Sequence, residues 1–243
     1  MTPTAVGMRC PECSRQKTKV RTAATLTGDP QLAYALIAIN VIAFVGQVAG
    51  GGGLDGRAGT VYENGALFGP LVADGDWWRI VTAGFLHAGP LHILFNMYFL
   101  YFLGTLLEPV IGKLRFGLIY VVSLFGGSLG ALLVSPDAVT VGASGAVFGL
   151  MAAAIIAMRA RGIDPMQSGL GVTLLLNLAI TFLIPNISIG GHIGGLLAGG
   201  AVGYLMFEVA ERRRLSRGMV LAACAAIGVA LAVGSVLAAS ANA

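Results

Sequence analysis

The sequence has few charged residues for its length. Asp, Glu, Lys and Arg make up 11% of its 243 residues, whereas about a quarter of a typical soluble domain is charged. Apolar residues make up 56%, and the mean hydropathy is +0.84. A chain of this composition can bury its apolar surface only in a lipid bilayer. The composition therefore excludes an ordinary soluble domain and indicates a polytopic membrane protein.

Cysteine is also scarce, and three cysteines provide no disulfide framework. Cys10 and Cys13 have the two-residue spacing of half a zinc site, but a structural zinc site needs four ligands. No other Cys or His lies in the polar, basic segment 1–30, and Cys224 falls in the last apolar segment. We therefore expect no metal site and no cofactor in this chain alone. The alternative is that further ligands precede the assigned start codon.

Long apolar segments are abundant, each near the 20 or so residues that cross a bilayer as a helix. Seven are predicted, at 32–50, 88–107, 116–134, 143–158, 169–186, 188–207 and 219–239. Segment 1–30 has no apolar run, so we expect no signal peptide there. The predicted fold class is all-α, a polytopic membrane helix bundle.

The basic residues predict the orientation of these helices. Thirteen of the 15 lie on one side of the predicted membrane, in the N-terminal segment and after the second, fourth and sixth apolar segments. Only Arg57 and Arg79 lie on the other side. Because cytoplasmic loops are enriched in Lys and Arg, we expect a cytoplasmic N-terminus and an external C-terminus in the cell membrane. The role of the basic residues in orienting the helices accounts for the net charge of +4, so no nucleic-acid partner is needed to explain it.

One serine and one histidine are the strongest candidates for chemistry. Ser144 follows Gly142 and precedes Gly145 at the external end of the fourth segment, and His192 lies between glycine pairs in the sixth. Ionisable groups at membrane depth are functional candidates, and a serine nucleophile needs a base such as histidine. The alternative interpretation is that these small residues serve only close helix packing.

Two glycine patterns predict that the serine and the histidine meet. Gly195, Gly199 and Gly203 recur every four residues and give the sixth segment a flat face. Gly145 and Gly149 give the fourth segment a matching face. No acidic residue lies mid-span near the external third of either segment, so we expect a Ser-His dyad and not a triad with a carboxylate.

Attack by the serine on a carbonyl group would create an oxyanion that needs hydrogen-bond donors. His92 and Asn96 are four residues apart and share one face of the second helix. Together with the backbone N–H of Ser144, they are the available donors. His87 precedes this helix, and we expect it to brace the loop. Glu108, at the cytoplasmic end of the same helix, is expected to be structural.

The external loop, residues 51–87, is too long to be only a tight connection between helices. It contains Trp77 and Trp78, and tryptophan favours the membrane–water interface. We expect the neighbouring Arg79 to be structural. The fifth segment, 169–186, is rich in leucine and shows no obvious chemistry.

With these motifs, the sequence resembles the rhomboid family of intramembrane serine proteases. The matching motifs are Trp78-Arg79, His92-Ile93-Leu94-Phe95-Asn96, Glu108 with Gly112, Gly142-Ala143-Ser144-Gly145, and His192 with its flanking glycines. The likeness covers residues 32–207, and the motifs occur in the right order.

The resemblance implies a six-helix core at 31–210, preceded by a cytoplasmic basic tail at 1–30 and followed at 211–243 by a linker and a seventh helix. The tail, with its two cysteines, looks like the end of a zinc-binding extension of some relatives. Substrates would be single-span membrane proteins, cleaved in or near their transmembrane helices. The lipid bilayer would be the other partner, and the fifth segment and first external loop would act near the substrate gate.

The resemblance also implies a role for each site residue. Ser144 would be the nucleophile and His192 the general base, while His92 and Asn96 would support the oxyanion. Phe148 matches a position where the family has an aromatic ring stacked on the catalytic histidine.

Two other functions are kept as alternatives. One is a non-enzymatic membrane adaptor that binds single-span clients, for which no labelling by serine-reactive reagents is expected. The other is a small transporter with Ser144 and His192 lining a pathway. The transporter lacks the paired membrane-embedded carboxylates or the internal repeat expected of that class.

Overall fold

The computed structural model describes residues 2–4, 7–9 and 28–242. Two short strands, β1 (Thr2–Thr4) and β2 (Gly7–Arg9), pair antiparallel near the N-terminus. The remaining regular elements of the described residues are helices, which confirms the all-α fold class. Cys10 and Cys13, with the zinc half-site predicted from them, lie outside the described residues.

The helices form a bundle, and the loop after the first of them contains short helices of its own. In chain order they are α1 (Gln31–Gln47, continued by a π-helical turn at Val48–Gly52), α2 (Gly59–Gly65), α3 (Gly69–Ala73), α4 (Arg79–Thr82, followed by a 3-10 turn at Ala83–Phe85), α5 (Pro90–Ile111), α6 (Lys113–Val134), α7 (Ser144–Ala160), α8 (Leu170–Leu183), α9 (Ile189–Tyr204, continued by a π-helical turn at Leu205–Val209), α10 (Ala210–Arg212) and α11 (Arg217–Ala241).

Seven of these helices correspond to the seven predicted apolar segments. Five are long and apolar enough to cross a bilayer, namely Gln31–Gly52, Pro90–Ile111, Lys113–Val134, Ile189–Arg212 and Arg217–Ala241. Helices α7 and α8 are apolar but shorter, with 17 and 14 residues. Helix α8 is shorter than predicted because Gly169 precedes it at a φ of 81° and the chain becomes extended at Ile184, before Pro185. The chain is a multi-pass membrane protein.

Helix α9 packs between α6 and α7 through glycines. The contacting pairs are Gly195 with Gly145 and Gly199 with Gly149 toward α7, and Gly190 with Gly130 and Gly194 with Gly126 toward α6. Backbones approach closely because no side chain lies between them. The predicted contact between the glycine faces of the fourth and sixth segments is confirmed.

The loop of residues 51–87, which is predicted to be external, contains three short helices, α2 to α4, that the sequence did not indicate. Arg79 holds the loop together from a buried position. Its Nη1 donates to the carbonyls of Glu63 (2.7 Å) and Ala66 (2.9 Å), and its Nε donates to Asp76 Oδ2 (2.9 Å). The planar guanidinium can donate in several directions at once. The structural role predicted for Arg79 is confirmed.

Glu108 connects α5 to the start of α1. Its carboxylate is buried, and its two oxygens accept hydrogen bonds from the N–H groups of Leu32 and Ala33, each at 2.9 Å. The first N–H groups of a helix have no acceptor within that helix, and negative charge is favourable there. The structural role predicted for Glu108 is confirmed.

The last helix, α11, packs along α6, and its C-terminal end lies under the external loop. Ala238 and Ala239 share a buried apolar cluster with Leu67 and with Val72 of α3. The C-terminal end of the seventh helix therefore packs against the loop and stabilises it.

Candidate active site

Ser144 is the first residue of α7 and is half-buried. Gly142, just before it, has a φ of 129°, a backbone conformation that favours glycine. The N–H of Gly142 donates to the carbonyl of Ala83 at 2.9 Å, which fixes the external loop against the start of α7. Because the first N–H groups of a helix have no acceptor within it, Ser144 lies among donors suited to an anion.

His192 lies in the first turn of α9, opposite Ser144. Its Nε2 is 2.8 Å from Ser144 Oγ, and its Nδ1 is 2.7 Å from Thr181 Oγ1 on α8. The ring of Phe148 stacks on the imidazole, with centroids 4.4 Å apart and planes inclined by 26°. The structure therefore brings the predicted serine and histidine together and shows the stacking that the resemblance implied.

Thr181 lies between His192 and the backbone of α8. Its Oγ1 is 2.8 Å from the carbonyl of Asn177 and 2.7 Å from His192 Nδ1. A threonine hydroxyl has one hydrogen to donate. With that hydrogen given to Asn177, the imidazole hydrogen lies on Nδ1 and Nε2 can accept the hydroxyl hydrogen of Ser144.

His92 approaches the same region from α5. Its Nδ1 accepts from the N–H of Ala88 at 3.2 Å, so the neutral ring carries its hydrogen on Nε2. A Cβ atom on Gly142 would lie 2.8 Å from His92 Nε2 and 3.5 Å from Ser144 Oγ. A side chain at this position would collide with the His92 ring, so glycine lets the Nε2–H donor lie against the backbone that leads into Ser144.

Asn96 is buried one turn further along α5. Its Nδ2 donates to the carbonyl of His92 at 2.9 Å, which engages one of the two amide hydrogens and leaves the second available. Within residues 28–242, no hydrogen bond joins Asn96 to Ser144 or to His192.

Gln47, at the end of α1, holds the backbone that leads to His92. Its Nε2 donates to the carbonyls of Gly56 (2.8 Å) and His87 (3.1 Å), and its Oε1 accepts from the N–H of His87 (2.9 Å). The next N–H in the chain, that of Ala88, is the one that binds His92 Nδ1. The backbone of His87 thus has the bracing role that was predicted for this residue.

The ring of His87 is fully buried and meets the ring of His92 edge-on, with centroids 5.1 Å apart. Neither ring nitrogen has a hydrogen-bond partner among the described residues. Burial, reinforced by the neighbouring His92, lowers the pKa of His87 to about 3. The His87 ring is therefore neutral at physiological pH.

Metal chemistry has no candidate ligand set in the part of the chain that the structure describes. No group of three or more His, Cys, Asp or Glu residues is placed there to hold an ion. That the chain needs no cofactor stays a prediction.

Comparison with known proteins identifies the family. Residues 74–209, more than half of the chain, match the Rhomboid domain family. The chain belongs to the rhomboid family. The matched region of this rhomboid contains Ser144, His192, His92 and Asn96, while α1 and α11 lie outside it.

Individual relatives match this rhomboid over different shares of their length. It is 33% identical to the rhomboid protease GluP of Bacillus subtilis (strain 168) over 187 residues. These residues make up 76% of this chain and 36% of GluP. YdcA, a second rhomboid of that organism, is 38% identical over 146 residues, or 58% of this chain and 73% of YdcA. The mitochondrial RHOMBOID-like protein 6 of Arabidopsis thaliana is 38% identical over 154 residues, 60% of this chain and 50% of that protein. This rhomboid thus spans about a third of GluP and half of the Arabidopsis relative.

Two residues of this site, Thr181 and Gln47, were not predicted from the sequence. The one available signal for Thr181 was its position four residues after Asn177, because such a pair shares a face of an otherwise apolar helix. Gln47 is a polar residue near the end of the first apolar segment, and polar groups in that setting need partners.

Proposed function

We propose that this rhomboid is an intramembrane serine endopeptidase that cleaves single-span membrane proteins in or near their transmembrane segment. Ser144 is the nucleophile and His192 the general base. The observation that carries the proposal is the 2.8 Å hydrogen bond between Ser144 Oγ and His192 Nε2. The name of GluP, a rhomboid protease, supports the same activity.

In the first half of the reaction, Ser144 Oγ attacks the scissile carbonyl carbon as its hydroxyl proton passes to His192 Nε2. The carbonyl π electrons move to the oxygen and produce a tetrahedral oxyanion. The intermediate then collapses, the C–N bond breaks, and His192 returns the proton to the leaving amine. An acyl-enzyme ester on Ser144 remains.

The oxyanion forms beside Ser144 and is stabilised by nearby donors. These are His92 Nε2–H, which lies against the backbone of Gly142, and the first N–H groups of α7, which have no acceptor within the helix. The second amide hydrogen of Asn96 is the further donor. Donors held in place before the reaction stabilise the developing charge without having to reorganise.

In the second half of the reaction, a water molecule attacks the ester carbonyl while His192 takes its proton. Breakdown of this intermediate releases the new carboxylate, and His192 reprotonates Ser144 Oγ. The cycle consumes one water molecule and restores the starting protonation state.

Substrates reach the site from the lipid, beside α8. Of the 14 residues of this helix only Leu170, Gly171 and Thr181 are buried, so most of its surface faces away from the bundle. We assign the entry route to α8 and the external loop. The N-terminus is cytoplasmic, the C-terminus is external, and the dyad lies toward the external face of the cell membrane, as the distribution of basic residues supports.

A fluorescent fluorophosphonate tests the proposal on the detergent-purified full chain. This reagent forms a covalent bond only with an activated serine, so we expect labelling of the wild type and none of Ser144→Ala. Equal labelling of the two proteins would place the reactive serine elsewhere. A folded wild type that stays unlabelled in detergent and in lipid vesicles would contradict the proposal and favour the adaptor.

A further inference from the structure

We propose that Thr181 is a positioning residue that holds His192 in the tautomer and ring orientation needed to accept the Ser144 proton. This inference deepens the proposed function and rests on it. The juxtaposition that carries it is a run of hydrogen bonds from Ser144 through His192 to Thr181 and on to the carbonyl of Asn177.

The direction of this run follows from the number of hydrogens at each atom. The Thr181 hydroxyl has a single hydrogen, which Asn177 accepts at 2.8 Å, so the hydroxyl oxygen offers only a lone pair to His192 Nδ1. A neutral imidazole has one N–H, and the 2.7 Å contact draws it to Nδ1. Thr181 thus stabilises the tautomer in which Nε2 is the acceptor.

The surroundings of the ring give this hydrogen bond its importance. Phe148 restricts one face of the imidazole but cannot choose between its two nitrogens, because a stacked ring contacts both. Thr181 is 1% exposed, so water does not readily replace its hydroxyl. Among residues 28–242, Thr181 is the only side-chain partner of Nδ1.

Thr181 also connects the base to α8. It is the only buried residue in the C-terminal half of that helix, whose other buried residues, Leu170 and Gly171, lie at its start. His192 therefore keeps its Nδ1 partner only while this end of α8 is docked on the bundle. The orientation of the base depends on the same helix that we assign to substrate entry.

Two substitutions separate the hydroxyl from the shape of the side chain. Thr181→Val keeps the branched shape and removes the hydrogen bond, whereas Thr181→Ser keeps the hydroxyl. Thr173 supplies a matched control on the same helix, because its hydroxyl makes the same bond to a backbone carbonyl four residues earlier (Gly169, 2.9 Å) but does not contact His192.

We expect Thr181→Val to lower kcat for a transmembrane substrate roughly tenfold to a hundredfold, with little change in KM. The loss is smaller than the roughly 10⁴-fold decrease in kcat on losing the buried carboxylate of a soluble serine protease, because a neutral hydroxyl orients the imidazole without stabilising its charged form. Thr181→Ser should restore most of the activity, and Thr173→Val should leave the tautomer of His192 as it is in the wild type.

The decisive measurement is ¹⁵N NMR of protein labelled at histidine, because the protonated and unprotonated nitrogens of a neutral imidazole resonate far apart. Only three histidines are present, and His192→Asn identifies the His192 signals. We expect the wild type to carry its hydrogen on Nδ1 of His192 and Thr181→Val to populate the other tautomer. A wild-type His192 protonated on Nε2 would overturn the inference, even if the valine variant fails to fold.

Cleavage and NMR together distinguish the two proposals. A tautomer shift in Thr181→Val, in a protein whose wild type cleaves nothing, would support the positioning role and contradict the proposed protease. If the wild type is active and Thr181→Val shows the same kcat and the same His192 signals, the positioning role is refuted and the proposed protease is not.

Discussion

The backbone of Gly199 on α9 lies directly against the backbone of Gly149 on α7. The same contact occurs one turn nearer the dyad, between Gly195 and Gly145. These two contacts set how closely the helices that carry Ser144 and His192 approach one another. The 2.8 Å hydrogen bond of the dyad therefore depends on the absence of side chains further along the helices.

We expect Gly199→Ala to separate the two helices and weaken the dyad. Its new Cβ would overlap the backbone of Gly149, which cannot move as a flexible side chain can. Overpacking of this kind costs about 1–3 kcal/mol. The unfolding temperature in detergent and the extent of fluorophosphonate labelling should both decrease. Gly200→Ala is the control, because its Cβ would meet Ala152 Cβ at an ordinary 3.7 Å, and a decrease as large there would contradict the explanation.

The glycine pattern shows why this part of the fold was predictable from sequence. Membrane helices that touch through backbone need small residues at regular spacing, and Gly195, Gly199 and Gly203 display that spacing directly. The depth predicted for His192 rests on the distribution of basic residues, which predicts the direction of each helix.

The contacts of Thr181 and Gln47 were not predictable in the same way. Each depends on a partner from a distant segment, and no local spacing determines which segments become neighbours. Helices α2 to α4 were missed for a different reason. They contain seven, five and four residues, too few to show a helical period, and they are held by Arg79 and by contacts with α6 and α11.

Gly142→Ala should abolish labelling and cleavage. The new methyl group would lie 2.7 Å from His92 Cε1 and 2.8 Å from Nε2, so it would displace the His92 ring that is proposed to stabilise the oxyanion. The φ of 129° adds backbone strain for any residue with a Cβ. Gly169→Ala isolates strain of this kind, because Gly169 has a φ of 81° and nothing within 4 Å of its added Cβ. Comparable loss of activity in both variants would mean that strain alone is responsible.

His192→Asn should lose cleavage as fully as Ser144→Ala, because the members of a catalytic unit act together. Asn96→Ala should lose less, since His92 and the backbone donors remain to support the oxyanion. Initial rates on a reconstituted transmembrane substrate, measured beside the unfolding temperature of each variant, check both expectations. Substantial turnover by His192→Asn would require a different base.

Glu108→Gln should destabilise the protein by about 2–3 kcal/mol without altering the residues of the dyad. The carboxylate accepts two N–H groups at the start of α1, and the amide can accept only one of them while its NH₂ opposes the other. Glu208→Gln is the control, because its pair with the exposed Arg212 is worth at most about 1 kcal/mol. Unfolding temperatures in detergent should fall for the first variant and hardly change for the second. Equal decreases would contradict the capping role of Glu108.

The buried ring of His87 should make the protein less stable in mild acid. Its pKa is about 3 in the folded chain, against an ordinary value of about 6.5. Between these values the unfolded chain binds a proton that the folded chain excludes, so stability decreases as pH falls below about 6.5. At pH 5 this difference amounts to about 2 kcal/mol.

His87→Phe tests this expectation because it fills a similar space and does not titrate. The loss of thermal stability between pH 7.5 and pH 5 should be smaller in His87→Phe than in the wild type. The quantity to compare is the change in stability between the two pH values, because the substitution also changes the packing, and this effect is present at both pH values. The same loss in both proteins would show that the His87 ring is accessible to protons in the folded state.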